Sequence, residues 1–168
     1  RAAVEERNYV YNTLGVELNQ TYSSSAVVTD GSPPPRFEGD ADLHAQASTW
    51  PGSRLPHCWL EREHKRVSVQ DLCGKERFTL LTGIGGAAWK TAAAQVSSAM
   101  SIAIEVVEVG LGLEVLDPYG DWAKLAQVAE SGCVLVRPDL HVGWRSAKLP
   151  GDAAAELAEV MRRICHVV

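Results

Sequence analysis

The sequence predicts an α/β domain in which a βαβ unit is followed by a ββα unit, with an extended arm in front. Three observations predict this class. A continuous apolar run at 78–82 precedes a segment of helical apolar spacing, and a β-branched run at 102–109 follows. Two alternating segments within 133–145 then precede a final amphipathic segment. The 168 residues suffice for one such domain and an appendage.

The first 31 residues are predicted to form a helix and a short strand. The helix is predicted from apolar residues near helical spacing, which are Ala3, Val10, Tyr11 and Leu14. Gly15 is its predicted stop. "SSSAVVTDG" (23–31) is predicted to be a strand that ends in a turn at Asp30-Gly31. These residues are too poor in apolar side chains to form a core alone, so we expect them to pack on another surface.

Residues 32–56 are predicted to be a proline-rich connector, because they contain Pro33–Pro35, Pro51 and Pro56 and show neither helical nor strand periodicity. A connector of this length is typical of a linker or of a strap over a neighbouring surface. Together with residues 1–31 it forms the segment that we call the arm (residues 1–56).

The first half of the domain is predicted to contain three strands and a long helix. "HCWLEREHKRVSVQDLCG" (57–74) predicts a strand pair, with Trp59 and Leu60 in one strand and Val67 and Val69 in the other. "RFTLLTG" (77–83) predicts a strand inside a sheet. A helix at 88–100 is predicted from apolar residues at helical spacing, which are Trp89, Ala92, Ala93, Val96 and Met100.

The second half is predicted to contain a strand, a short helix, a hairpin and a last helix. "IAIEVVEVG" (102–110) predicts the strand, and "PYGDWAKLAQVAE" (118–130) predicts a short helix that Asp121 caps. "CVLVRPDLHVGWR" (133–145) predicts two strands joined at Pro138-Asp139, with Asp139 stabilising the turn.

The last helix is predicted to begin after Asp152 as its N-cap. One apolar face is formed by Leu157, Val160, Met161 and Ile164. On the solvated face, Glu159 and Arg163 have the favourable i,i+4 order for an ion pair.

The predicted order of elements is that of a thioredoxin-like fold, but the chemistry of a thioredoxin is missing. A C-x-x-C pair would stand at the start of the helix, where the helix dipole lowers a thiol pKa. Residues 84–89 contain no sulfur, and the place of the cis-proline is occupied by Ser131-Gly132-Cys133. Disulfide exchange is therefore not predicted, and Cys133 is interpreted as a buried small apolar side chain.

The turn before this helix also fits a dinucleotide fingerprint. Gly83, Gly85 and Ala88 have the G-x-G-x-x-[GA] spacing, and Glu105 lies about twenty positions further on. Against this hypothesis, a hairpin follows instead of further βα units, and Glu105 lies inside a strand instead of at its carboxyl end. A tight strand-to-helix turn explains the glycines equally, and we favour that interpretation.

The four cysteines predict neither a disulfide framework nor a metal site. Cys58, Cys73, Cys133 and Cys165 form no C-x-x-C pair, so we expect reduced and mostly buried thiols in a cytosolic protein. A cluster of His57, Cys58, His64 and Cys73 matches no ligand spacing of known metal sites.

Charge and hydropathy exclude several classes of partner. The net charge is −5 and there is no basic stripe, so nucleic-acid binding is not predicted. No apolar run approaches the roughly 20 residues of a membrane helix, and the first residues lack a secretory core. We therefore expect a cytoplasmic protein. Since the chain begins with Arg1 instead of methionine, we also expect a fragment.

Three tryptophans and one aspartate each have two interpretations. Trp89, Trp122 and Trp144 could form a stacking platform, but their apolar contexts favour core positions. Asp121 could act as a base, although a capping or turn role is favoured.

Several stretches together resemble one family. "PGSRLPHCWLE" (51–61), "DLCGKERFTLLTGIGGAAW" (71–89), "YGDWA" (119–123) and "GCVLVRPDLHVGWR" (132–145) are similar to the C-terminal thioredoxin-like domain of FAD-dependent aromatic hydroxylases of the phenol and 2,4-dichlorophenol monooxygenase type. "GVELNQTYSSSAVVTDG" (15–31) resembles the last segment of the flavin- and substrate-binding part of those enzymes.

The resemblance implies a division of the chain into the tail of a flavin domain (1–31), a linker (32–56) and a thioredoxin-like domain (57–168). It implies a parent enzyme that uses FAD, NAD(P)H and O₂ to hydroxylate a phenol. No catalytic, cofactor-binding or metal-binding residue is assigned to this chain, because the flavin motifs of the family are absent from it. The implied role is a redox-inactive domain for structure or assembly.

The implied partner is the FAD- and substrate-binding domain of the same enzyme, with a homodimer left open. The face that carries His141 and Arg145 is expected to meet either that flavin domain or solvent. A separate chain that docks on a flavoprotein is the first alternative function. A small nucleotide-binding protein, based on Gly83, Gly85 and Glu105, is the second.

Overall fold

A computed structural model describes residues 1–166 as five α-helices, seven strands and two 3₁₀ turns. The helices are α1 (Ala2–Tyr11), α2 (Leu14–Leu18), α3 (Ala87–Met100), α4 (Asp121–Ala126) and α5 (Ala153–Cys165). The strands are β1 (Trp59–Arg62), β2 (Lys65–Ser68), β3 (Phe78–Thr82), β4 (Ile104–Glu108), β5 (Val115–Leu116), β6 (Cys133–Val136) and β7 (Val142–Ser146). The 3₁₀ turns are Val69–Leu72 and Ile84–Gly86. Within this part of the chain, no helix is both long and apolar enough to cross a bilayer.

The main sheet has four strands in the order β4-β3-β6-β7. β3 and β4 are parallel and joined by α3, whereas β3–β6 and β6–β7 are antiparallel. The predicted βαβ unit followed by a ββα unit is therefore confirmed. In the register, Leu80 of β3 lies opposite Val106 of β4 and Leu135 of β6.

A second, three-stranded sheet has the order β2-β1-β5. The predicted strand pair is confirmed, with Leu60 opposite Val67, but Val69 lies outside β2 and begins a 3₁₀ turn. The sequence did not predict β5, because two residues give no periodicity. An isolated bridge between Val109 and Val115 connects this sheet to the end of β4.

Both faces of the main sheet are buried, which explains the continuous apolar character of its inner strands. On one face, Leu80 belongs to a cluster with α3 and α5 that includes Trp89, Trp144 and Leu157. On the other face, Leu81 packs in a cluster with the small sheet and α4. Because successive strand residues point to opposite faces, neighbouring leucines serve two separate cores.

Two predictions for the arm are wrong. The segment 23–31 is not a strand, because Ser24 accepts hydrogen bonds from the backbone N–H groups of Ala26 and Val27 and so forms a local turn. Gly15 does not stop a helix: α1 ends at Tyr11, and Gly15 lies in α2. A Cβ atom at Gly15 would lie 1.9 Å from the carbonyl oxygen of Ala41, so this glycine permits close packing.

Helix termini give one confirmed prediction and two corrections. Asp152 caps α5, since its side chain accepts a 2.9 Å hydrogen bond from the Ala155 N–H. Asp121 does not cap α4, because Asp117 accepts hydrogen bonds from the N–H groups of Asp121 and Ala123 instead.

The predicted ion pair on α5 forms one residue earlier than expected. Glu159 pairs with Arg162 at 2.8 Å, an i,i+3 contact, and not with Arg163. Both spacings place side chains on the same helix face, so the sequence alone does not choose between the two arginines.

The assignment of the α4 cap can be tested by a matched pair of substitutions. We expect Asp117→Ala to lower the free energy of unfolding by about 1 kcal/mol, because two helix N–H groups lose their acceptor. Asp121→Ala should lower the free energy of unfolding by a smaller amount, since the Asp121 carboxylate accepts no backbone hydrogen bond. Urea denaturation followed by circular dichroism measures both. An equal or greater loss for Asp121→Ala would contradict the assignment.

Candidate functional site

The glycine turn after β3 is occupied by the chain itself. A Cβ atom at Gly83 would lie 2.6 Å from the Glu130 carbonyl oxygen, and one at Gly85 would lie 3.0 Å from the Ser131 Cβ atom. The Trp89 indole N–H donates to the Ser131 carbonyl at 3.0 Å, and the Thr82 hydroxyl donates to the Gly132 carbonyl at 2.6 Å. These glycines therefore permit the segment 130–132 to pack against the turn.

Glu105 lies in the middle of β4, where it forms an ion pair with Arg77. The structure thus places it in a strand and gives its carboxylate a partner. Together with the segment packed against the glycines, this arrangement does not fit the pyrophosphate and ribose of FAD or NAD(P)H. We derive no catalytic step through either cofactor from this turn.

All four cysteines are free thiols, and three of them are buried. Burial raises the pKa of Cys58 and of Cys73 to about 12, and it raises the pKa of Cys133 further. Because the thiolate is the reactive form, these side chains are poor nucleophiles and poor metal ligands near neutral pH.

The residues of the hypothetical metal cluster have separate partners. His57 Nδ1 contacts Ser68 Oγ at 2.9 Å, while His64 lies at the exposed β1–β2 turn beside Glu61. Over residues 1–166, no group of three or more His, Cys, Asp or Glu side chains is placed to hold a metal ion.

The three tryptophans singled out by the sequence are core residues, as predicted. Trp89, Trp122 and Trp144 are all buried. Trp89 and Trp144 pack edge to face with ring centroids 5.8 Å apart, which is a favourable aromatic geometry.

The arm is joined to the domain by a buried guanidinium group. Arg145, only 7% exposed, forms an ion pair with Asp30. Its other nitrogens donate to Ser32 Oγ at 3.0 Å, Gln127 Oε1 at 3.1 Å and Thr49 Oγ1 at 3.3 Å. We call these five residues the Arg145 cluster. It connects β7 with two parts of the arm and with the loop after α4.

Asp30 is held in its charged form by this cluster. Burial alone would raise the pKa of Asp30, but hydrogen bonds from Ser32 and Arg145 outweigh burial and lower that pKa below its ordinary value. The sequence assigned Asp30 to a turn and gave no sign of the ion pair, because the two residues are 115 positions apart.

Backbone hydrogen bonds from the arm cover the edge of β7. Val28 N–H donates to the Gly143 carbonyl at 2.8 Å, and Gly52 N–H donates to the Val142 carbonyl at 2.7 Å. Arg137 donates to the Ala26 carbonyl at 3.1 Å. An edge strand with unpaired backbone groups is thereby satisfied by the chain's own arm.

The face that carries His141 and Arg145 contacts this arm. The His141 ring packs edge to face on Tyr22, with centroids 5.1 Å apart. Asp139 stabilises the preceding turn as predicted, since it accepts hydrogen bonds from Arg137 and from the His141 N–H.

The helices of the arm are largely exposed. α1 contains no buried residue, and several large apolar side chains of the arm are exposed, namely Val4, Val10, Tyr11, Leu14 and Val16. Exposed apolar side chains that lie near one another are typical of a surface that another protein segment covers. The arm is thus bound to this domain through the Arg145 cluster, while apolar side chains of α1 and α2 are available for a further contact.

Comparison with protein families identifies the class. The family model described as "aromatic-ring hydroxylase, C-terminal" matches residues 48–166. The chain therefore belongs to the family of C-terminal regions of aromatic-ring hydroxylases.

Its relatives include monooxygenases of phenols and a solved flavin-dependent monooxygenase. The chain is 49% identical over 166 residues to 2,4-dichlorophenol 6-monooxygenase of Cupriavidus pinatubonensis and 43% identical over 165 residues to phenol 2-monooxygenase of Pseudomonas sp. strain EST1001. Each alignment covers 98% of this chain, but only 28% and 27% of the relative. The crystal structure of the flavin-dependent monooxygenase PieE with FAD and substrate superposes with a TM-score of 0.87 at 49% identity, over 92% of this chain and 26% of PieE.

The Arg145 cluster predicts a pH-dependent contribution to stability. Asp30 has a lowered pKa in the folded chain, so its contribution is complete above the ordinary carboxyl pKa of about 4 and is lost as the pH falls through the folded value. At neutral pH, we expect Asp30→Asn to cost about 3 kcal/mol, because the variant leaves the buried guanidinium without its counter-charge. The two proteins should converge in stability in acid.

The matched control for this substitution is Glu159→Gln, which removes an exposed ion pair and should cost less than about 1 kcal/mol. Urea unfolding of the three proteins at several pH values measures the effect. A difference between wild type and Asp30→Asn that does not change with pH would show that the ion pair is not its source.

The packing of the glycine turn predicts a steric effect. We expect Gly83→Ala to lower the free energy of unfolding by about 2 kcal/mol or more, because the new methyl group would meet the Glu130 backbone. Gly151→Ala is the control, since no atom lies within 4 Å of a Cβ at that position. Thermal and urea unfolding compare the two variants. If the Gly83→Ala variant has the same free energy of unfolding as the wild type, the packing role of Gly83 is contradicted. The dinucleotide-binding hypothesis would then have to be considered again.

Proposed function

We propose that this chain is the C-terminal region of an FAD-dependent, phenol-type aromatic monooxygenase and that it contributes structure and assembly instead of chemistry. The observation that carries the proposal is the arm, which is bound to the domain through the Arg145 cluster and has exposed apolar side chains in α1 and α2. The identities to the two phenol-type monooxygenases support the reaction class.

In the parent enzyme, FAD reduced by NAD(P)H supplies the oxygen chemistry that hydroxylates a phenol. The glycine turn of this chain does not fit either cofactor. Three of its four thiols are buried, and the start of α3 contains no sulfur. We therefore assign no catalytic, cofactor-binding or metal-binding residue to this chain. The parent enzyme is proposed to be cytoplasmic.

The contribution of this chain is to position the arm. The Arg145 cluster holds residues 30–32 and 49 against β7, and the β7 edge holds Val28 and Gly52. α1 and α2 are thereby presented with their apolar side chains outward. The proposed partner is the FAD- and substrate-binding domain of the same enzyme, of which residues 1–31 would be the last segment. A homodimer through this surface is the competing arrangement.

The proposal can be tested by mixing the 168-residue chain with the separately expressed flavin-binding segment that precedes Arg1 in the same reading frame. We expect a complex at micromolar concentration in sedimentation velocity. Val10→Asp combined with Tyr11→Asp should abolish it, because two charges would enter an apolar contact. Ala94→Asp, on the exposed face of α3, should leave it intact.

Three results would count against the proposal. A yellow 168-residue chain that oxidises NADPH in the presence of a phenol would show that the chemistry lies in this chain. Association of the chain only with itself would favour the homodimer. Absence of a preceding flavin-binding segment, together with binding to a separate flavoprotein, would favour the separate-chain alternative.

A further inference from the structure

A crevice of about 330 Å³ opens between the arm and the segment that leads into β1. Its apolar walls are formed by Leu18, Pro35, Phe37, Leu55 and Pro56. We call it the arm crevice. Sequence reasoning missed it, because its walls come from the end of α2 and from parts of the connector that have no periodicity.

The charge of the arm crevice is opposite to that of the whole chain. The chain has a net charge of −5, yet no Asp or Glu lines the crevice. Two basic residues, Arg54 and His57, do line it. Over residues 1–166, the Arg54 side chain is exposed and forms neither an ion pair nor a hydrogen bond. An unpaired guanidinium beside an apolar wall is suited to an organic anion.

The hydrogen bonds of His57 leave a second donor at the same place. The Gln70 N–H donates to Ser68 Oγ, which lies 2.9 Å from His57 Nδ1 and is the partner of that ring nitrogen. In the tautomer whose Nδ1 accepts the Ser68 hydroxyl proton, Nε2 carries the proton of the ring. Within the described part of the chain, Nε2 has no hydrogen-bond partner, and it can donate to an oxygen of a ligand.

The size and the walls restrict the ligand further. A volume of 330 Å³ lies near the lower end of small-molecule sites, which begin at roughly 300 Å³. The half-exposed ring of Phe37 offers a face on which a second ring can stack. We propose that the arm crevice binds a planar aromatic anion of one or two rings, with Arg54 and His57 at its charged group and Phe37 against its ring.

This inference goes beyond the proposed function and concerns residues of this chain alone, so it is tested without a flavin domain. The 168-residue chain, labelled with ¹⁵N, is titrated with benzoate, with 4-nitrophenolate and with neutral benzyl alcohol. We expect saturable NMR shifts at crevice residues with the anions and at least tenfold weaker binding of the alcohol. The two anions distinguish a carboxylate ligand from a phenolate ligand.

Substitutions assign the roles of the side chains. Arg54→Gln should weaken binding of the anion about tenfold or more, because a charged hydrogen-bond donor is lost. Phe37→Ala should weaken all three ligands, because it removes the ring contact. Arg163→Gln, an equal change of charge on the exposed side of α5, should leave the affinity unchanged. The NMR spectrum of each unliganded variant verifies its fold.

The proposal is overturned if neither anion gives saturable shifts at the crevice. It is also overturned if benzyl alcohol binds as tightly as the anions, or if Arg54→Gln and Arg163→Gln have equal effects. Loss of binding in a Phe37→Ala protein that keeps its fold supports the proposal even if Arg54→Gln unfolds.

Discussion

The ion pair between Asp30 and Arg145 is the interaction on which the relation of the arm to the domain depends. A buried guanidinium without a counter-charge is strongly destabilising, so the chain must bring both residues together to fold well. Once they meet, Ser32, Thr49 and Gln127 accept hydrogen bonds from three further N–H groups of Arg145. The geometry of the guanidinium fixes not only the distance of the arm but also its orientation, since the donors of arginine are rigidly arranged.

The main sheet provides the rigid support for this contact. Its inner strands are covered on one face by α3 and α5 and on the other by the small sheet and α4. β7, which carries Arg145, is at one edge of this sheet, and the arm supplies the backbone partners that the edge lacks. The buried sheet and the polar contact of Arg145 at its edge together hold the arm in place. The apolar side chains of α1 and α2 thereby remain exposed to solvent.

The regular elements were predictable because their signals are local. The apolar run of β3, the spacing of α3 and the cap at Asp152 each lie within a few residues. The contacts of the arm were not predictable, because Asp30 and Arg145 are far apart in sequence and the serine turn at Ser24 competes with strand formation. The correct cap of α4, Asp117, was missed because the preceding turn moves the capping carboxylate away from the helix start. The arm crevice depends on several separate stretches of the chain and therefore has no local signal.

The separation of Asp30 from Arg145 also governs the order of events during synthesis. The arm is synthesised before the domain, whereas β7 is the last of the described strands to appear. Contacts between distant parts of a chain form slowly, and exposed apolar surface is prone to aggregation in the meantime. Asp30 therefore has no counter-charge from Arg145 until β7 has been synthesised, so the arm takes its final place against the sheet only late in translation.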